Sequence, residues 1–242
     1  VKAVFLRCAG FNNVDLKSAN SFIKFYRVPS YSPNSIAEHA FALLLTSIRR
    51  THKAYNRTKE FNFSLEGLMG FDLHNKTIGI IGTGKIGKVM IDIANGFHMY
   101  VIAYDPYPIE NPTNYSYVSL PELLKQSDII SLHCPLNDNT RHIINADTLK
   151  MMKPSAFIIN TARGALIDEQ ALIEALKSKT IAGAGLDVQE VEPLASSSEL
   201  FKLDNVVITP HMGWKGFETR QRLVQILKEG IDGYKNKTDT HR

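Results

Sequence analysis

Thr77-Ile78-Gly79-Ile80-Ile81-Gly82-Thr83-Gly84-Lys85-Ile86-Gly87 runs an apolar segment straight into a glycine-rich turn, and Asp105 closes the next apolar segment. The order predicts a strand, a tight turn, a helix and an acid at the end of a second strand. Such a unit grips a dinucleotide. Gly82 permits the turn, Gly84 lets backbone approach a pyrophosphate, and Gly87 lets the helix pack close to its strand. The helix N-terminus then offers aligned N–H groups to the anion. Asp105 lies 18 residues beyond Gly87, placed to bond the hydroxyls of an adenosine ribose. A carboxylate there repels a 2′-phosphate, so NAD is favoured over NADP.

Working outward, the pattern alternates from Lys76 onward. Apolar runs predict strands at 77–81, 100–104, 128–133, 157–160, 182–186 and 206–209. Helices are predicted over 86–97, 120–126, 146–152 and 168–178. Nearly continuous apolar strands separated by helices imply a parallel sheet covered on both faces, an α/β doubly wound (Rossmann) fold. Ahead of it, short strands are expected at 4–6 and 25–28, with a turn at Asn12-Asn13. Ser35-Ile36-Ala37-Glu38 reads as a capping box, Ser35 being the N-cap of one long helix running towards Tyr55. Its apolar first half fits burial between domains or subunits. A final helix carries Leu223, Leu227, Ile231 and Tyr234 on one stripe, for which the N-terminal segment is the expected partner.

Composition narrows the class. With 242 residues the chain can bury a substantial core, and 44% apolar with 21% charged residues is ordinary for a globular protein. A net charge of +4 is too dispersed to imply nucleic acid, and Arg49-Arg50-Thr51-His52-Lys53 with Arg57 reads as a solvated or subunit-facing helix surface. No apolar stretch is long enough to span a bilayer and no signal peptide is evident, so no membrane is implied. Cys8 and Cys134 sit in apolar runs and read as buried reduced thiols of a cytoplasmic protein, a disulfide remaining open.

Three polar residues interrupt predicted strand ends: Arg163 after Asn160-Thr161-Ala162, Glu192 in the loop after Asp187, and His211 after Thr209-Pro210. In an open parallel sheet such ends converge on one crevice. On these residues, with Leu132-His133-Cys134-Pro135-Leu136, Gly185-Leu186-Asp187-Val188 and Glu192-Pro193, the chain resembles the D-isomer specific 2-hydroxyacid dehydrogenases along nearly its whole length. The resemblance implies a catalytic trio of Arg163, Glu192 and His211. It implies a cofactor site of Gly82, Gly84, Lys85, Ile86, Gly87, Asp105, Cys134, Pro135, Thr140, Thr161, Ala162, Asp187 and Gly213, with Asp187 on the nicotinamide side. It further implies a substrate site of Ala9, Gly10, Tyr31 and Arg163, and a homodimer whose arm is the helix from Ser35.

The chemistry agrees with that transfer. A 2-keto acid presents a carboxylate beside a carbonyl, and a guanidinium fork grips both. Negative charge grows on the carbonyl oxygen during hydride addition, so a proton donor is needed, a role suited to the imidazole of His211. Glu192 would bond the other ring nitrogen, fix the tautomer and favour the imidazolium. No metal is required, and the His and Cys spacing shows no zinc pattern. His39, His52, His74, His98, His142 and His241 form no partner pattern and are read as surface or core residues.

The resemblance divides over the substrate. Residues 7–15, 28–33 and 62–67 look like D-lactate dehydrogenases, whereas 209–214 and 218–223 look like glycerate dehydrogenase, with Trp214 trimming the pocket. Either pyruvate or hydroxypyruvate is the expected substrate. Residues 1–33 are expected to be a partial substrate domain, 34–212 the NAD-binding domain, and 213–242 a helix returning to the substrate domain. Family members carry several dozen residues before the strand at Val4, so this chain is expected to bind NAD while turning over weakly or not at all. Competing readings are an NAD-sensing corepressor-like interaction protein, disfavoured by the acid–base pair, and an inactive NAD-binding fragment. A formate dehydrogenase-like enzyme is disfavoured by Glu192, where that group carries Gln.

Overall fold

The computed structural model describes residues 1–11, 14–16, 18 and 23–239, the last three by backbone alone. The Asn12-Asn13 turn and His241 lie outside the described residues. The chain divides into two compact units, Ile36–Gly213 and a smaller one formed by Val1–Ser35 with Trp214–Arg242.

The larger unit is built on seven parallel strands. They are β3 (Thr77–Ile81), β4 (Tyr100–Tyr104), β5 (Ser116–Tyr117), β6 (Ile129–Leu132), β7 (Phe157–Asn160), β8 (Gly183–Leu186) and β9 (Val206–Ile208), in the spatial order β5-β4-β3-β6-β7-β8-β9. The chain moves outward one way from β3, then returns to β6 on the other side of it. That reversal is a topological switch point, and it places the turn after β3 at the crevice. The doubly wound expectation is met, with one strand more than the sequence suggested. Strand β5 is only two residues long and flanked by polar and proline-containing sequence, too short for a periodic signal.

Alternation along the strands divides the core. Ile78, Ile80, Ile129 and Ile159 point to one face, joined by Ala37, Ala40, Phe41, Leu43, Leu44 and Ile48 of α1 (Pro33–Arg49) and by Met90, Ile91 and Ala94 of α3 (Lys85–Gly96). Ile81, Ile130, Leu132 and Ile158 point to the other, under α4 (Leu120–Gln126), α5 (Ala146–Met151) and α6 (Glu169–Lys177). Both faces are covered, so apolar residues follow one another along β3 and β7 instead of alternating with polar ones. The apolar half of α1 is therefore consumed by the sheet of its own unit. The Gly185 position allows this approach, because a Cβ there would stand 3.2 Å from Leu43 Cβ.

Helix α1 departs from the expected start. It begins at Pro33, and Ser32 Oγ accepts the Ser35 N–H at 3.2 Å, so Ser32 is the N-cap and Ser35 lies inside the first turn. Proline at the first helical position lacks only an N–H that would have no partner there. The helix also stops short of Tyr55. Arg50 adopts a left-handed conformation (φ 50°) and a second helix, α2 (Thr51–Lys59), follows it. Nothing in the composition of residues 49–51 announces this break.

In the smaller unit β1 (Ala3–Leu6) pairs in parallel with β2 (Lys24–Arg27). The closing helix α7 (Phe217–Asp239) meets them through an aromatic cluster, Tyr234 standing edge-on 5.8 Å from both Phe5 and Tyr26. The expected partner of the final helix is thus the N-terminal segment. Replacing Ser32 with Ala leaves the Ser35 N–H uncapped and is expected to cost about 1 kcal/mol, read by urea unfolding.

Candidate active site

The carboxyl end of β3 leads into Gly82, whose φ of +96° and close approach to β6 both demand glycine: a Cβ would stand 2.6 Å from Cys134 N. At Gly87 a Cβ would come within 2.0 Å of Gly82 O, so the first turn of α3 lies against the loop. Gly84 is different. Among the described residues no atom comes within 4 Å of where its Cβ would stand, and no side chain caps α3 there. Glycine at 84 is not required by the packing of the chain itself, and the N-terminal amides of α3 face a space that a pyrophosphate would fill. The loop fits the dinucleotide read from the sequence.

Asp105, beyond β4, turns back to that loop. Its Oδ2 accepts the Thr83 N–H at 2.7 Å and the Thr83 hydroxyl at 3.0 Å, and its Oδ1 accepts the Tyr107 N–H at 2.9 Å. On the far side of Gly82, Cys134 is buried, and burial pushes its thiol up to about 11, so it is no nucleophile at neutral pH. The Thr140 hydroxyl donates to the Pro135 carbonyl at 2.6 Å, tying those two expected cofactor residues into one turn. Burial drives the neighbouring His133 down to about 4, leaving a neutral ring that bonds Ser131 Oγ at 2.9 Å. Beyond β7, the buried Thr161 hydroxyl has no hydrogen-bond partner among the described residues.

Asn160 shapes the next turn: its carbonyl oxygen accepts the Ala162 N–H at 3.0 Å and its amide donates to the Arg163 carbonyl at 2.9 Å. Arg163 Nη1 donates to the Ala162 carbonyl at 2.6 Å. A Cβ at Gly164 would fall 1.9 Å from the carbonyl of Gln189, so the Arg163 turn is pressed against the loop carrying Glu192. In that loop Glu192 Oε1 accepts the Gln189 N–H at 3.1 Å, and Oε2 meets His211 Nδ1 at 2.7 Å. Both oxygens of Glu192 are thereby placed, and the imidazole is held by its Nδ1 edge. His142, read as partnerless, bonds Glu190 Oε1 of the same loop at 2.6 Å.

His211 sits in a left-handed conformation (φ 52°), its N–H donating to the Asp187 carbonyl at 2.8 Å. The Asp187 carboxylate, 1% exposed, holds the rest of the turn. It accepts the Thr209 hydroxyl at 2.5 Å, the Met212 and Gly213 N–H groups each at 2.8 Å, and bonds His39 Nε2 at 3.2 Å. Burial alone would raise its pKa; these four bonds outweigh it, and the carboxyl titrates below its ordinary range. Asp187 and Gly213, which the resemblance implies for the cofactor site, bond each other in the structure, and Asp187 anchors the turn that carries His211. His39 is the residue that the sequence reading missed. A lone histidine on an apolar helix gives no sign of a partner 148 positions away.

Elsewhere three members of the basic cluster bond within the chain. Arg50 donates to the Gly67 carbonyl at 2.8 Å, Arg57 to the Glu66 carbonyl at 2.7 Å, and Lys53 pairs with Asp204. Ala9, Gly10 and Tyr31 belong to the smaller unit, where Arg27 donates to the Ala9 carbonyl at 2.7 Å and Arg222 to the Tyr31 carbonyl at 2.9 Å. Cys8 is free and half-buried rather than buried. Among the described residues no group of three His, Cys, Asp or Glu side chains is arranged to hold a metal, and no helix is long and apolar enough to cross a membrane.

Comparison with known proteins assigns the chain a family. Residues 41–213 match the family model for the NAD binding domain of D-isomer specific 2-hydroxyacid dehydrogenases. The chain is 52% identical over 195 residues to the D-lactate dehydrogenase of Escherichia coli (strain K12), covering 79% of this chain but only 59% of that protein. The apo-structure of D-lactate dehydrogenase from Escherichia coli superposes with a TM-score of 0.89 at 45% identity, over 99% of this chain and 76% of the other. The Aquifex aeolicus D-lactate dehydrogenase, solved with NAD and lactic acid, gives a TM-score of 0.86 at 35% identity, over 99% and 77%. With its family model spanning the sheet, the glycine loop and the turn up to Gly213, the chain belongs to the D-isomer specific 2-hydroxyacid dehydrogenase family.

Proposed function

We propose that this chain carries the NAD-binding and acid–base machinery of an NAD-dependent D-2-hydroxyacid dehydrogenase that interconverts a small 2-keto acid and its D-2-hydroxy acid. The observation that carries the reading is the 2.7 Å contact between His211 Nδ1 and Glu192 Oε2, with Glu192 itself fixed by the Gln189 N–H. A histidine held in this way presents Nε2 as the proton-exchanging atom, in either reaction direction. The Arg163 guanidinium would receive the substrate carboxylate and polarise the adjacent carbonyl. NADH, when bound, would supply the hydride; Asp105 would hold its ribose end and the amides at the start of α3 its pyrophosphate.

Pyruvate is the substrate this reading prefers over hydroxypyruvate, because several relatives and solved structures similar to the chain are named D-lactate dehydrogenases. The exposed apolar side chains Phe61, Phe63, Leu65 and Met69, which follow α2, support a homodimer in which a second copy covers them. Free thiols at Cys8 and Cys134 fit the reducing cytoplasm.

NADH oxidation with pyruvate, hydroxypyruvate, glyoxylate and oxaloacetate, measured on this chain and on a version extended at its N-terminus by the segment that family members carry, tests the reaction and ranks the acids; no turnover of any of them by the extended protein overturns the proposal. Replacing His211 with Gln is expected to lower kcat by about 10²–10⁴ while NADH affinity, read by fluorescence titration, stays within about twofold. Loss of both would assign His211 a structural role.

Asp187 gives a pH-dependent outcome. Its folded pKa lies below the 3.8 of the unfolded chain, so its contribution is complete above about pH 5 and disappears as pH falls through the lowered folded value. Replacing Asp187 with Asn is expected to cost about 2–4 kcal/mol at pH 6. Urea unfolding should show the gap to the native chain narrowing steadily below about pH 4. A gap independent of pH would show that the charge of Asp187 does not hold the turn.

A further inference from the structure

Thr83 and the Asp105 carboxylate belong to a longer chain of hydroxyl groups. Thr83 Oγ1 lies 2.8 Å from the Tyr117 hydroxyl, which lies 3.1 Å from the Tyr115 hydroxyl and accepts the Ile109 N–H at 3.3 Å. The two rings meet edge-on with centroids 5.2 Å apart, both half-buried. Neither tyrosine was singled out in the sequence, and Tyr117 lies on β5, the strand whose existence the sequence did not announce.

Proton counting gives the chain a direction. A carboxylate only accepts, and Thr83 has one hydroxyl proton. Asp105 Oδ2, being charged, is the stronger acceptor, so that proton goes to it. The oxygen of Thr83 must then accept from Tyr117, and the oxygen of Tyr117 receives the Tyr115 proton and the Ile109 N–H. Every hydroxyl donates towards Asp105, and each bond polarises the next. Oδ2 carries two donors, Thr83 N–H and Thr83 O–H, whereas Oδ1 carries one, Tyr107 N–H. The carboxylate plane is therefore fixed, and Oδ1 keeps accepting capacity for a ribose hydroxyl.

We propose that Tyr117, acting through Thr83, is a positioning residue for dinucleotide selectivity: the directed relay Tyr115–Tyr117–Thr83 holds Asp105 as an oriented acceptor that favours a free ribose 2′-hydroxyl over a 2′-phosphate. The proposal rests on the reading of Asp105 as the ribose-binding acid. It assigns selectivity to the geometry of the acid as well as to its charge. A carboxylate freed from the relay keeps its charge, and so keeps its repulsion of a 2′-phosphate, but loses the alignment that rewards the hydroxyl.

The test uses the purified chain and fluorescence titration with NADH and NADPH, so no turnover is required. Tyr117→Phe keeps the ring and its packing while removing the donor to Thr83. It is expected to weaken NADH about fivefold to tenfold and leave NADPH unchanged, lowering the preference by the same factor. Thr83→Val should do at least as much, and Thr83→Ser, which keeps the hydroxyl, should restore native selectivity. Equal losses for both dinucleotides, or no change in either with Tyr117→Phe, would overturn the relay. Asp105→Ala separates the two ideas: NADH affinity indifferent to it removes the ribose reading, whereas a large NADH loss beside a silent Tyr117→Phe removes only the relay.

Discussion

Every strand of the larger unit runs parallel to its neighbours, and that single constraint organises the molecule. A parallel sheet cannot be closed by hairpins, so each connection must cross a face and both faces end up covered. The strands can then be apolar on both sides, as Ile78, Ile80, Ile81, Ile129, Ile130, Ile158 and Ile159 are. All carboxyl ends also fall on one edge. Gly82, Asp105, Cys134, Thr161, Asp187 and Thr209 are all among the first residues beyond their strands, which is why chemistry written far apart in the chain collects there.

Three carboxylates along that edge differ in role because their partners differ. Asp187 is buried and accepts from or bonds four groups, so it serves as a rivet for the turn that orients His211. Glu192 divides its oxygens between a backbone amide and an imidazole, a division suited to steering a proton donor. Asp105 is held on one oxygen by Thr83 and, among the described residues, meets only Tyr107 N–H on the other. Charge is the same in each; the hydrogen bonds decide what the charge does.

Much of this was legible in advance. The glycine turn with its flanking strand and acid names a dinucleotide grip, because only glycine tolerates φ +96° at position 82 and the close approach at 87. The alternation from Lys76 onward gives the helices and six of the seven strands, since burial on both faces leaves a continuous apolar mark. Position 35 misled because Ser32-Pro33 and Ser35-Ile36-Ala37-Glu38 both resemble helix starts, and local pattern does not choose between them. The break at Arg50 left no mark because its conformation is set by the chain around it, in which its guanidinium reaches the Gly67 carbonyl.

The residues themselves determined the doubly wound sheet and the dinucleotide turn, and marked Arg163, Glu192 and His211 as candidates at strand ends, because periodicity, glycine chemistry and strand-end placement are properties of short segments. Tertiary structure alone decided that His39 braces Asp187 across 148 positions, that Asp187 and Gly213 bond each other, and that Tyr117 reaches Asp105 through Thr83. Each is a pairing of polar groups distant in sequence. A hydrogen bond of this kind has no period and no local composition; it exists only once the sheet has brought its strand ends to a common edge.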